Sequence, residues 1–221
     1  MVDRDNSGGV SQRLSDIMDK KRVLVISPHT DDADVGVGGT LIKLGKDFNV
    51  LHIALTDCMD IERNAPYNLK DEFISAQKLL DIKSRLYDFP NRRFPENSFK
   101  IRDLFEELKR ELVPDIVLCP SPKDIHQDHY ATYLESFRVF RNSTILAYES
   151  PRSTMGFLPS LYVALDEDIV RQKCTLVGMY KSQEREYYMQ ADSITALARH
   201  RGAEIGRKFA EGFEIIRMVI E

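Results

Sequence analysis

A chain of 221 residues, 43% apolar and 30% charged, is long enough to bury a full core and reads as one globular unit. Its formal charge of −4 leaves no basic excess to neutralise a phosphate backbone, so nucleic acid is not an expected partner. No apolar run approaches the roughly 20 residues that span a bilayer, and Asp3, Arg4, Asp5 and Gly8-Gly9 stand where a leader peptide would be apolar.

These features, with Cys58, Cys119 and Cys174 forming no CxxC pair, lead us to expect a cytoplasmic protein with no membrane partner and no disulfide. Residues 1–20 read as an N-terminal extension ahead of a single domain over 21–221.

Residues 22–27 (Arg-Val-Leu-Val-Ile-Ser) form a run without polar alternation, as a strand covered on both faces does. His29-Thr30-Asp31-Asp32 follows directly. Gly36 to Gly39 then lead into a helical pattern, Leu41-Ile42-Lys43-Leu44, that stops near Gly45, and residues 49–55 make a second strand. The glycines lack the G-x-G-x-x-G spacing of a dinucleotide loop, and acids occupy the turn a pyrophosphate would approach; close packing of helix on sheet, or backbone approach to the site, is their expected role.

Leu69, Phe73, Ala76, Leu79 and Leu80 trace an amphipathic helix, followed by a short strand over 85–88. Ile101, Leu104, Phe105, Leu108 and Leu112 repeat the stripe until Pro114 ends it, and residues 115–119 are another buried strand. His126-Gln127-Asp128-His129 comes just after. A helix over 128–140, a strand over 144–148, an edge strand near 161–164 and a helix opened by Asp166 continue the alternation. A long helix over 185–206 and an apolar run over 213–220 complete it. Strands alternating with helices predict an α/β fold: a three-layer Rossmann-like domain with a mostly parallel sheet flanked by helices.

The chemistry concentrates in two strings, which hold three of the five histidines and pair each set with carboxylates. Either string alone has a bland explanation: Asp31 or Asp32 can cap the next helix, and His126 to His129 can be a solvated helix start. Together, each just beyond a strand where α/β sheets bind ligands, and each with ligand types at i and i+3, they have the composition of a two-His, one-carboxylate metal site. His52, in a strand pattern, and His200, in a helix, read as structural.

With its first string extended as Ser27-Pro28-His29-Thr30-Asp31-Asp32-Ala33-Asp34-Val35-Gly36-Val37-Gly38-Gly39-Thr40 and its second as His126-Gln127-Asp128-His129, the chain resembles the PIG-L/LmbE-like superfamily of zinc-dependent N-acetylglucosamine de-N-acetylases. Echoes at Phe89 to Arg93, Tyr148-Glu149, Lys173, Ser182-Gln183, Arg201-Gly202 and Phe209 to Phe213 extend the resemblance over about residues 22–218. Thr30 and Gln127 replace usual prolines, and Ala33-Asp34 stands where many members have Glu or Ala-Glu.

The resemblance implies Zn²⁺ held by His29, Asp32 and His129 with water in an open position, the same donors also accepting Fe²⁺. It implies Asp31 as general base for attack of metal-bound water on the acetamide, a cationic His126 stabilising the oxyanion, and Asp128 orienting and charging the His126 ring. Arg92 and Arg93 are the implied substrate contacts, with Tyr148 and Glu149 weaker ones. The expected partner is a small-molecule N-acetyl sugar conjugate, chosen by loops over 57–70, 89–100 and 149–160, and relatives of this kind lead us to include a homo-oligomer. Two rival readings carry the same residues: a metal-dependent hydrolase of a non-sugar amide or ester, and a non-catalytic sugar-binding relative.

Overall fold

The computed structural model describes residues 21–58 and 68–220; the extension expected over 1–20 and most of the loop over 57–70 lie outside them. The strands are β1 (Arg22–Ser27), β2 (Asn49–Ala54), β3 (Lys83–Leu86), β4 (Ile116–Pro120), β5 (Thr144–Tyr148), β6 (Leu161–Leu165) and β7 (Phe209–Arg217). The helices are α1 (Asp32–Leu44), α2 (Leu69–Leu80), α3 (Ser98–Leu112), α4 (Gln127–Val139), α5 (Glu167–Val177) and α6 (Ala191–Glu204). The strands form one seven-stranded sheet in the order β3-β2-β1-β4-β5-β7-β6. β1 to β5 run parallel, and β7 lies antiparallel between β5 and β6.

Alternation along β1 feeds two cores. Leu24 and Ile26 pack with Ile101, Phe105 and Leu108 of α3 and Ala131 and Val139 of α4, while Val23 and Val25 pack with Ala33, Val37 and Leu41 of α1. Phe73 and Ala76 of α2 meet Val35 of α1 and Leu176 and Val177 of α5 on that second side. Helices therefore cover both faces, as the uninterrupted apolar strands predict.

From β1 the chain builds outward through β2 to β3, then returns to the other side of β1 for β4 and β5. The carboxyl ends of β1 and β4 thus flank the point where the winding reverses, the position at which open α/β sheets bind ligands. The first string leaves β1 and the second follows β4, so the topology puts both at that point.

Several boundaries differ from the sequence expectation. α1 starts at Asp32, inside the first string, and carries its glycines within the helix. A Cβ on Gly36 would lie 2.6 Å from Tyr148 Cδ2, and one on Gly39 2.6 Å from Leu165 Cδ1, so close helix–sheet approach is their role, as expected. β3 sits two residues earlier than 85–88, an edge strand with exposed side chains and little apolar pattern.

The helix expected over 185–206 begins only at Ala191. Ahead of it the chain makes 3₁₀ turns at Lys181–Gln183 and Tyr187–Met189, and an extended Gln190 (φ −72°, ψ 145°) lets Met189 turn inward against Tyr180 and Ile194. β7 begins at Phe209 rather than 213; Glu211 and Glu214 interrupt its apolar pattern, yet both are buried in ion pairs with Lys173 and Lys123. Cys119 and Cys174 are free thiols. Among the described residues no helix is long and apolar enough to cross a membrane.

Candidate metal and active site

The β1–α1 turn aims its side chains by capping itself. Asp32 accepts the His29 backbone N–H at 2.8 Å, which leaves Asp31 at the helix N-cap with no side-chain capping bond and its carboxylate free for other work. Opposite this turn, His126 caps α4: its Nδ1 accepts the Asp128 N–H at 3.2 Å, and His129 stands one turn inside the helix.

Three donor atoms converge. His29 Nδ1 lies 3.1 Å from Asp32 Oδ2 and 3.2 Å from His129 Nε2, and His129 Nε2 lies 3.3 Å from Asp32 Oδ2. Donors held at about 2.0–2.2 Å around a tetrahedral cation stand roughly 3.4 Å apart, so this triangle is the right size for one. Two imidazole nitrogens and a carboxylate oxygen suit Zn²⁺ and Fe²⁺ alike. His126 also has a nitrogen within 4.8 Å of the other two histidines, but its Nδ1 serves the helix cap, and the tighter triangle is the one that includes Asp32.

Each inward imidazole is braced from behind. His29 Nε2 meets Asp128 Oδ2 at 3.2 Å, and His129 Nδ1 meets Asp124 Oδ2 at 2.8 Å, with Ser150 Oγ at 3.3 Å. A carboxylate behind a ring fixes which nitrogen faces the site. Asp128 is itself held by the backbone N–H groups of Arg92 (2.6 Å) and Phe94 (3.1 Å), and Asp124 by those of His126 (2.9 Å) and the Thr154 hydroxyl (3.2 Å).

Electrostatics separate the groups. Burial opposes the charged form of His29, but Asp32, Asp128 and Asp31 outweigh it and raise its pKa to about 10. His129 behaves alike, raised to about 9 by Asp32 and Asp124 against its burial. Burial also opposes the Asp32 carboxylate, yet the two imidazoles hold it well below the usual range. Burial and the Asp32 charge lift Asp31 to about 7. Burial, then the charges of His129 and His29, press His126 down to about 4.

Two expectations need correction. In the metal-free site burial, then the charges of His129 and His29, disfavour the cationic form expected of His126. Asp128 orients His29 rather than the His126 ring, since its carboxylate points to His29 Nε2 and only its backbone N–H reaches His126. Asp31, Asp32, His29, His126, Asp128 and His129 are brought together as the sequence reading grouped them.

Arg92 takes a left-handed conformation (φ 62°), which delivers its N–H to Asp128 and leaves its side chain exposed; the Arg93 guanidinium is exposed and pairs with Glu96 at 3.1 Å. Tyr148 and Glu149 are buried, the first donating to Ile26 O at 2.8 Å and the second paired with Arg201 at 2.7 Å. Asp124 was missed, although an acid two residues before His126 was a readable signal. Ser150 carried none.

A family profile described as PIG-L, GlcNAc-PI de-N-acetylase, matches residues 24–139, more than half of the chain. The chain belongs to this family. Both strings fall inside the PIG-L match, which runs from β1 to the end of α4 and so takes in every residue of the donor triangle.

The diacetylchitobiose deacetylase of Thermococcus kodakarensis is 29% identical, over 90% of this chain and 84% of that protein. An uncharacterized deacetylase of Escherichia coli is 25% identical, over 78% of this chain and 97% of that one. Among solved structures, the N,N'-diacetylchitobiose deacetylase of Pyrococcus horikoshii, complexed with its inhibitor MPG, superposes with a TM-score of 0.75 at 21% identity. The superposition covers 98% of this chain and 94% of that one, a likeness of fold.

Proposed function

We propose that the chain is a metal-dependent hydrolase that removes the N-acetyl group from an N-acetylglucosamine-type sugar conjugate, with His29, Asp32 and His129 holding one Zn²⁺, or Fe²⁺ on the same donors. The observation that carries this reading is the donor triangle with edges of 3.1–3.3 Å inside the PIG-L match. The diacetylchitobiose deacetylase among the relatives supports the sugar amide as substrate. A dication bound there would polarise the acetamide carbonyl and lower the pKa of a water in its open position to about 7.

Asp31 is the general base. Its carboxylate makes no helix-capping bond, and burial beside the Asp32 charge raises its affinity for a proton, which suits it to take one from the attacking water and return it to the departing amine nitrogen. The amine leaves only once protonated, so one group serves both steps. His126 acts as a neutral donor: with Nδ1 accepting the Asp128 N–H, its proton sits on Nε2, where it can bond the carbonyl oxygen as negative charge develops. Asp128 keeps the His29 ring in register through Nε2. The exposed guanidiniums of Arg92 and Arg93 are available to a carboxylate or phosphate elsewhere on the conjugate.

The test couples metal analysis to acetate release from a panel of N-acetylglucosamine conjugates that includes N,N'-diacetylchitobiose. Asp31→Asn is expected to keep its metal and lose turnover on the order of 10²–10⁴-fold; His129→Ala is expected to lose the metal itself. Native protein that releases no acetate from any N-acetyl sugar, or Asp31→Asn at native rate, would overturn the reading.

A further inference from the structure

Beneath the first string lies a set of buried polar side chains that the chemistry above does not use. Ser27, Asp34, His52, Gln77 and Tyr180 come from β1, α1, β2, α2 and the segment after α5, and each is at most 1% exposed. Their hydrogen bonds converge on Asp34 from both ends of a connected set. Ala33 N–H donates to Ser27 Oγ at 3.1 Å, and the Ser27 hydroxyl donates to His52 Nε2 at 2.8 Å. His52 Nδ1–H donates to Gln77 Oε1 at 2.8 Å, and Gln77 Nε2 donates to Asp34 Oδ2 at 2.9 Å. The Tyr180 hydroxyl faces two acceptors, Asp34 Oδ2 at 2.6 Å and the Thr30 carbonyl oxygen at 2.8 Å, and shares its one proton between them.

The network therefore reaches from the amide of residue 33 to the carbonyl of residue 30, bracketing Asp31 and Asp32. A buried polar network is an expensive way to fill a core, because apolar side chains of the same volume cost no desolvation. What it provides that apolar packing cannot is a fixed peptide orientation. The Thr30 carbonyl belongs to the peptide bond whose nitrogen is that of Asp31, and Thr30 is only 1% exposed, so without Tyr180 this carbonyl would lose its phenol donor in a dry site.

From this juxtaposition we infer that Tyr180 is a positioning residue for Asp31: its hydroxyl, braced by Asp34, holds the Thr30–Asp31 peptide so that the carboxylate keeps its place beside the metal-binding triangle. The inference rests on the proposed reaction for its kinetic consequence but not for its structural one, and the test separates the two.

In the metal-free protein, Tyr180→Phe is expected to lower hydrogen-exchange protection of the Val35 N–H, which bonds Asp31 O at 3.0 Å, at least about tenfold. Protection along β4 should stay unchanged; a phenol with a merely structural role would lower both together. In the metal-loaded enzyme the same variant is expected to lose about tenfold or more in kcat, with KM within about twofold and metal content intact. In an Asp31→Asn background it should change the residual rate by less than about twofold, because the base it positions is already gone.

Unchanged Val35 protection, parallel loss along β4, or additive kinetic losses in the double variant would overturn the inference. An inactive native protein would overturn the proposed reaction instead and leave the exchange result to decide the positioning role.

Discussion

At the scale of single residues, the proposed metal site sets a condition on the two imidazoles that face each other in the triangle: they could not both stay as they are if a cation bound there. Without one, His29 titrates at about 10 and His129 at about 9, since the carboxylates around them outweigh burial. Both rings therefore carry an extra proton at pH 7, while coordination needs a bare nitrogen on each. Binding must release those protons, and the sign follows: lowering the pH favours the protonated site and weakens binding, whereas raising it toward 9 strengthens binding. Calorimetric titration with Zn²⁺ at pH 7 in buffers of different ionisation heat should report release of about two protons per ion. Release of none would mean that the rings enter the complex already neutral.

At the scale of elements, α1 links the sheet to the site, and its glycines differ in what surrounds them. A Cβ at Gly36 would lie 2.6 Å from Tyr148 Cδ2 and 3.1 Å from the Glu149 carbonyl, and the Tyr148 ring is tied by its hydroxyl to Ile26 O at 2.8 Å. At Gly38 the nearest atom is Leu176 Cδ2 at 3.1 Å, the end of a side chain that can turn. Replacing a helical glycine by alanine gains about 1 kcal/mol in backbone entropy, and overpacking costs about 1–3 kcal/mol. The clash should win at Gly36, with a net loss of about 1–2 kcal/mol for Gly36→Ala, and Gly38→Ala should be near neutral or stabilising. Denaturant titration of both variants decides it, and equal destabilisation would show that the tether on Tyr148 does not matter.

The same elements show what the sequence could reveal. β1, β4 and β5 are legible because burial on both faces leaves them without polar interruptions, and the ligand types at the ends of β1 and β4 are legible because few other reasons put such residues there. The start of β7 is masked by two glutamates within it, Glu211 and Glu214, whose partners, Lys173 and Lys123, lie far away in the chain, so no local pattern marks them as buried. The break before α6 depends on Met189 finding Tyr180 and Ile194. Tyr180 itself reaches Thr30 across 150 positions, a contact that no periodicity can announce.

At the scale of the whole molecule, the sheet is covered by two helical layers, and a buried carboxylate pins the layer made by α3 and α4. Glu135 of α4 has a fully buried side chain. It accepts from Arg102 Nε at 2.6 Å and from Ser98 Oγ, both on α3, and from Arg138 Nη1 on its own helix at 2.7 Å. Burial pushes its pKa up, but these hydrogen bonds and the Arg102 charge outweigh it, so the net shift is below the usual 4.5.

A carboxyl whose folded pKa is depressed adds stability at pH values above its unfolded pKa, and that stability is lost as pH falls through the folded value. Both arginines are almost half exposed, so solvent screens the pairing, and Glu135→Gln should cost about 1–2 kcal/mol at pH 7 rather than the larger loss of a fully buried pair. The gap between native and variant should hold steady down to about pH 5 and close below about pH 4 as the native carboxyl gains its proton. Urea titrations at pH 7, 5 and 3 measure it. A gap that persists unchanged at pH 3 would mean that the side chain holds the two helices by shape and neutral hydrogen bonds, with its charge contributing nothing to the stability of that layer.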